Sequence, residues 1–264
     1  NGGELLKLCI NSILMQEYKE FDLLVLDNNS SDGSTDWLLS LKDTRVKVFT
    51  ANESLSINDN WKRILEVQKN EFMTLIGHDD LLYPGFLMEM NGLITQYPDA
   101  SLYHCHFDYI DSDGNILRQS RPMPRVQTVQ QLMENFLQCR IDSMGTGYVM
   151  RSADYDRLGG IPVNFPNLLF ADFALWITLT DISYVATSPE KCFAFRLHQS
   201  TTSASGDLIF HDAFREFINF LHVKKCESAE LAGVIEKNAG SYILFYCQGL
   251  SHRMLRTAFK KRNN

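Results

Sequence analysis

Thr74-Leu75-Ile76-Gly77-His78-Asp79-Asp80-Leu81-Leu82-Tyr83-Pro84 joins a short apolar run to two adjacent carboxylates and closes on a proline. The apolar run reads as a buried strand, so Asp79 and Asp80 stand where the chain leaves a sheet. In open α/β sheets, ligands bind beyond the carboxyl ends of the strands. Neighbouring carboxylates repel each other unless something positive lies beside them. A hard divalent cation, Mg2+ or Mn2+, meets that need through oxygen. A solvated strand-to-loop turn has the same composition, and this stretch alone does not separate the two readings.

The flanking sequence sets the fold class. On the N-terminal side, residues 3–16 place Leu6, Cys9, Ile10, Ile13 and Leu14 on one helical face. A strand follows over 21–27, then a run of turn formers, Asn28 to Asp36, in which Ser34 or Thr35 is positioned to cap the next helix. Residues 45–50 read as a strand and 57–65 as a helix, and 71–76 form the strand that delivers Asp79 and Asp80. Beyond Pro84 a helix runs to Tyr97-Pro98 and a strand covers 100–108. Strands alternating with helices predict an α/β fold with a mainly parallel sheet flanked by helices. A parallel domain usually places a strand before its first helix, so the chain reads as cropped at its start.

Past Asp108 the pattern changes. Asp113-Gly114 predicts a hairpin turn. The D-x-D-x-N run at Asp111 fails as a calcium loop because Pro122 stands where a bidentate glutamate is needed. His104 and His106 share a strand face but lack further ligands, which favours a structural role. Thr128 caps a helix, Ser152 caps a brief one, and two glycines flank a threonine at Gly145-Thr146-Gly147. Asp172 opens an otherwise apolar helix. It reads as an N-cap, or as a general base with a tuned pKa. Short strands over 183–187 and 191–197 lead to a polar loop with Arg196 and His198. From Asp207 onward the chain reads as two helices, the last ending in Arg253, Arg256, Lys260, Lys261 and Arg262. That cationic end suits a helix C-terminus, or contact with an anionic membrane face.

Composition narrows the function. The 264 residues suffice for one large domain, or a domain with an appendage, and the net charge of -7 argues against nucleic acid as a partner. Six scattered cysteines with no C-x-x-C suit reduced thiols in the cytoplasm. No apolar run reaches the length of a membrane span, and no signal peptide is visible. Neither a P-loop nor a G-x-G-x-x-G is present, although Asp27 at a strand end suits hydrogen bonding to a base or ribose.

From Asn1 to about Ser203 the chain resembles the family-2 glycosyltransferases of the GT-A fold. Ser12-Ile13-Leu14-Met15-Gln16 is close to that family's S-I-L-x-Q, and Leu26 to Ser34 is similar to its V-D-D-x-S-x-D-G-S. Gly77-His78-Asp79-Asp80 falls where the family has D-x-D-D, with glycine replacing the first aspartate. Arg157 to Gly160, then Ala171-Asp172 and Leu175-Trp176, resembles the acceptor-side segment that ends in E-D. Arg196-Leu197-His198 and Ser200 look like R-x-H-x-x-S. The resemblance implies a nucleotide-binding part over about 1–108 and an acceptor-binding part over about 109–205. Residues 206–264 then form a C-terminal helical extension.

It also implies a nucleotide-diphosphate sugar donor, a UDP-sugar first of all, bound by Asp27, Asn29, Asn60, His78, Asp79, Arg196 and His198. Asp79 and Asp80 would hold Mn2+ or Mg2+, Asp80 in a supporting role, and Asp172 would be the catalytic base of an inverting transfer. The acceptor would be a saccharide or lipid-linked saccharide of bacterial surface polysaccharide synthesis, handled in the cytoplasm or at the inner face of the membrane. Two other readings remain at this stage. Gly77 and Ala171 suit a sugar-nucleotide-binding protein that has lost catalysis. A nucleotidyltransferase would need a basic glycine-rich loop at the start of the chain, which is not seen.

Overall fold

The computed structural model describes residues 1–197 and 207–262. In chain order the first elements are α1 (Gly3–Leu14), β1 (Leu23–Asp27), α2 (Ser34–Ser40), β2 (Val46–Thr50), α3 (Ile57–Lys62), β3 (Phe72–Thr74), β4 (Leu81–Leu82), α4 (Phe86–Gln96) and β5 (Leu102–Ile110). Then follow β6 (Ile116–Gln119), β7 (Val126–Gln127), α5 (Val129–Leu137), β8 (Tyr148–Arg151), α6 (Ser152–Arg157), α7 (Ala171–Thr180), β9 (Val185–Arg196), α8 (Asp207–Glu227) and α9 (Ala229–Arg262).

Among the described residues the strands form two sheets. β1 and β2 pair in parallel. The larger sheet runs β3-β8-β5-β9-β4, with β6 on β5 and β7 on β9. The fold is α/β and mixed, as expected, but within the larger sheet only β5 and β9 pair in parallel. The hairpin at Asp113-Gly114 makes β6 antiparallel to β5, with Gly114 at φ +91. The two strands expected over 183–197 are one long strand, β9, whose register against β5 shifts around His106.

β5 divides the core because its side chains alternate between the two faces of the sheet. Tyr103, Cys105, Phe107 and Tyr109 pack with residues of α1, α2 and α4 on one face. Leu102 joins α5, α7, α8 and α9 on the other. α7 is buried nearly all round, as a helix enclosed by a core must be. Phe170, Phe214, Phe217 and Tyr246 stack at its start, which fixes the long C-terminal helices against it. His104 is fully buried against Trp176, with ring centroids 4.7 Å apart. Burial, with His106 nearby, pulls its pKa down to about 3, so it is a neutral core residue.

Local capping departs from expectation in three places. Thr128 does cap α5, in a reciprocal pair with Gln131. Ser34 does not cap α2: Gly33 precedes the helix at φ +85, and Ser34 Oγ instead accepts from the N–H groups of Gly2 and Gly3. Ser152 is the first residue of α6 rather than its cap. Asp172 is likewise inside α7, in its first turn, behind Phe170 at φ +70.

Candidate active site

Gly77 to Asp80 forms a turn between β3 and β4. The strand is shorter than the apolar run suggests, and Leu75-Ile76-Gly77 leaves it as irregular chain. α1 fastens this turn from below. Cys9 Sγ donates to Gly77 O at 3.4 Å, and Ser12 Oγ accepts from Leu82 N at 3.1 Å. Gln16, fully buried, donates to Tyr83 O at 2.7 Å and accepts from Leu87 N at 2.9 Å. The S-I-L-x-Q pattern is thus a set of polar pegs that satisfy the backbone after the acidic pair, where no ladder does. The N-terminal end of α1 reaches the other sheet, since Gly3 N donates to Asp32 Oδ2 at 3.0 Å. One helix therefore ties the β1 loop to the acidic turn.

Within the turn the two aspartates differ. Asp79 is half-buried beside exposed His78. A Cβ added at Gly77 would lie 2.8 Å from Asp79 Oδ1, so the carboxylate occupies the space that a side chain at 77 would need. Asp80 is buried. Its Oδ2 accepts from Thr146 Oγ1 at 2.6 Å and its Oδ1 from Arg196 N at 2.9 Å. Burial, reinforced by the charge of Asp79, pushes its pKa up to about 7 against those hydrogen bonds. With both oxygens engaged by the protein, Asp80 braces the turn.

Arg196 corrects an expectation. It is buried, and its guanidinium donates to the carbonyls of Asp79 (2.8 Å), Asp111 (2.8 Å) and Ser112 (3.0 Å). A planar donor fork with three N–H groups on backbone carbonyls is a clamp between loops, not a grip on a diphosphate. His198 lies outside the described residues.

On the β1 side, Asp27 ends the strand and is buried. Its Oδ2 accepts from Ser30 N and from Thr35 Oγ1, each at 3.1 Å. Burial works against its charge, yet the hydrogen bonds from Ser30 and Thr35 outweigh it and hold the carboxyl below its usual range. Asn29 is exposed, at φ +56. Asn60 Oδ1 accepts from Arg63 Nη1 at 2.8 Å, and the same guanidinium donates to Asp27 O at 2.9 Å. Arg63 thus joins Asn60 to the end of β1.

Asp172 meets the segment 145–148, which also contacts the acidic turn. Tyr148 Oη donates to its Oδ1 at 3.3 Å, and a Cβ at Gly145 would lie 3.1 Å from its Oδ2. Burial pushes its pKa up to about 6, and the Tyr148 hydrogen bond opposes that only in part. A carboxyl group titrating near neutrality, beside a glycine that leaves room, can accept a proton. Thr146, Tyr148 and Arg63 escaped the sequence reading. The Gly-Thr-Gly before a strand was a signal for the first two, but their partners are distant in sequence.

Among the described residues, no three His, Cys, Asp or Glu side chains converge as a ready-made metal site. The half-buried Asp79 carboxylate, with its hard oxygens beside a side-chain-free Gly77, fits a cation that takes its other ligands from a diphosphate and water, as Mg2+ commonly does.

This arrangement places an acidic turn at the strand ends of an α/β fold. The model of glycosyl transferase family 2 matches residues 1–158, and the chain belongs to that family. Over 207 residues it is 23% identical to the Escherichia coli UDP-Glc:alpha-D-GlcNAc-diphosphoundecaprenol beta-1,3-glucosyltransferase WfgD, covering 78% of this chain and 77% of that one. Staphylococcus aureus TarS 1-349, solved with UDP-GlcNAc, superposes with a TM-score of 0.61 at 13% identity, covering 80% of this chain and 63% of TarS 1-349. The mannosyltransferase PcManGT of Pyrobaculum calidifontis, solved with GDP-Man and Mn2+, gives a TM-score of 0.54 at 13% identity, covering 95% of this chain and 77% of that one.

Proposed function

We propose that the chain moves a sugar from a UDP-sugar to a hydroxyl of a lipid-linked saccharide, with inversion, in the synthesis of a bacterial surface polysaccharide. The observation that carries this reading is the near-neutral carboxyl of Asp172, held by the segment that also braces the acidic turn. Asp27, kept ionised, accepts from the uracil or ribose, with Asn29, Asn60 and His78 lining the same donor side. Asp79 would hold Mn2+ or Mg2+ together with the donor diphosphate, and Asp80 keeps Asp79 in place. A bound cation supplies Lewis acidity toward the departing diphosphate.

Asp172 takes the proton of the acceptor hydroxyl through Oδ2, since Oδ1 holds Tyr148. The acceptor oxygen forms its bond to the anomeric carbon as the bond to the diphosphate breaks, and that electron pair leaves with the diphosphate. The described residues offer this one base and no second carboxylate placed as a nucleophile, which supports a single displacement. The lipid-linked acceptor and the glucosyl donor named for WfgD support the substrate class.

No described helix is long and apolar enough to cross a membrane. Contact with a bilayer would be peripheral, through α9. Leu244 and Phe245 are 62% and 61% exposed there, and from Lys237 onward the chain has six Lys or Arg and no Asp or Glu. Co-sedimentation with anionic but not neutral vesicles is the expected result.

The central test is calorimetry and turnover with a panel of UDP-sugars, with and without Mn2+. Heat of binding plus release of UDP in the presence of a lipid-linked saccharide is expected. Binding without any turnover would favour a sugar-nucleotide-binding protein instead. Mn2+ alone should bind weakly, because Asp79 needs the diphosphate to complete the coordination shell. Tight binding of Mn2+ without nucleotide would contradict the shared site.

A further inference from the structure

We infer that Thr146 is a positioning residue that sets the acidic donor turn and the acceptor base in register; this rests on the transferase reading above. Residues 145–148 touch both halves of the site. Thr146 is buried, and its single hydroxyl serves both ends of the turn. It donates to Asp80 Oδ2 at 2.6 Å and lies 3.4 Å from Gly77 N, from which it accepts. One residue earlier, Gly145 abuts the Asp172 carboxylate; two residues later, Tyr148 donates to it.

This short segment is itself pinned. Gly147 sits at φ +80, and a Cβ there would lie 2.0 Å from the Phe193 ring, so no other residue fits. Tyr148 begins β8, where it pairs with His104 of β5. The distance from the Asp80 anchor to the Asp172 carboxylate is therefore spanned by a few residues with little freedom to adjust.

The chemistry explains why such a link matters. Displacement at the anomeric carbon needs the base and the leaving diphosphate on opposite sides of the sugar. A misplacement of about 1 Å costs on the order of 100-fold in rate. Asp80 has two anchors, Arg196 N and Thr146 Oγ1, and only Thr146 also belongs to the segment that faces Asp172. Removing its hydroxyl leaves Oδ2 of a buried carboxylate without that donor and Gly77 N without its acceptor, so the turn is released from the segment that meets Asp172.

Three variants separate the parts of this link. Thr146→Val keeps the shape and loses the hydroxyl. It is expected to weaken binding of UDP with Mn2+ about 10-fold by calorimetry and to lower kcat about 100-fold, while remaining folded by circular dichroism. Thr146→Ser restores the hydroxyl and should stay within about 3-fold of wild type in both readouts. Gly145→Ala pushes on Asp172 without touching Asp80, so kcat should fall about 10-fold with UDP binding unchanged.

Wild-type values for Thr146→Val, or equal losses in Thr146→Ser and Thr146→Val, would overturn the inference. If Thr146→Val does not fold, Gly145→Ala decides, and a wild-type kcat there has the same consequence. If the wild-type chain transfers no sugar, the transferase reading fails while the link is still read by the UDP and Mn2+ calorimetry. Equal affinity in wild type and Thr146→Val would then refute the link.

Discussion

Asp27 and Asp172 are both largely withdrawn from water, yet their acidities move in opposite directions. Asp27 accepts from Ser30 and Thr35 and falls below the usual carboxylate range. Asp172 has one long hydrogen bond from Tyr148 and rises to about 6. Burial acts on both in the same sense but more strongly on Asp172, and the richer supply of donors at Asp27 widens the difference. A turn rich in N–H and hydroxyl groups makes a permanent anion, suited to recognition. The first turn of an apolar helix makes a carboxyl group that exchanges its proton near neutrality, suited to catalysis.

The sharpest way to break this contrast is to neutralise each group in turn. Asp172→Asn should lower kcat by about 100-fold or more, the usual range for a lost general base. Calorimetry with UDP and Mn2+ should show nearly wild-type affinity. Turnover at the wild-type rate would end the assignment of Asp172 as base. Asp27→Asn should do the reverse, weakening UDP binding by roughly 10- to 150-fold, about the 1.5–3 kcal/mol of a hydrogen bond to a charged group. Its rate at saturating donor should change far less.

A pH profile sharpens the comparison. Transfer should fall as the pH drops through about 6, because Asp172 must be ionised to accept a proton. Binding of uridine, which has no phosphate to meet the acidic turn, should stay flat over the same interval, because Asp27 is ionised throughout. Tyr148→Phe removes a donor to the Asp172 carboxylate and should shift the acidic limb upward by about half a unit, about 0.7 kcal/mol. A limb that does not move would separate Tyr148 from the base.

The smallest effect concerns stability. The folded carboxyl of Asp172 binds its proton more tightly than an unfolded one, whose value is 3.8. Its contribution is therefore most favourable below about pH 4 and is lost as the pH rises through about 6. Asp172→Asn should raise Tm at pH 8 by about 2–4 °C, roughly 1 kcal/mol after allowing for its partial exposure. An unchanged Tm would mean that the carboxylate is better solvated than its surroundings suggest.

What was legible in the sequence divides along the same line. Asp27, Asn29 and the Gly33 turn could be read directly, because turn chemistry is local and residue types announce it. Asp79 and Asp80 were visible as a pair, and the family resemblance implied a supporting role for Asp80, but the partners that hold Asp80 were not visible. Asp80 is defined by Thr146 and Arg196, which are 66 and 116 positions away. Arg196 was misread for the same reason: in sequence a guanidinium in a polar loop looks available, and only the fold shows it turned onto carbonyls. The parallel β1-β2 pair followed from alternation, whereas the antiparallel pairing of β8 with β3 and β5 depends on β3 and β8, which are too short to carry a period. Asp172 was found by its chemical incongruity, one charge at the head of an apolar helix.

Gly147 limits how this protein can change. Its contact with Phe193 fixes the path of the chain into β8, so neither insertion nor a side chain is tolerated there. On the proposed reading, variation toward other acceptors enters upstream, where the exposed Arg118 pairs with the Asp142 carboxylate, which also accepts from Arg121 N. An engineer seeking a new specificity would randomise that stretch and leave Gly145 to Tyr148 untouched.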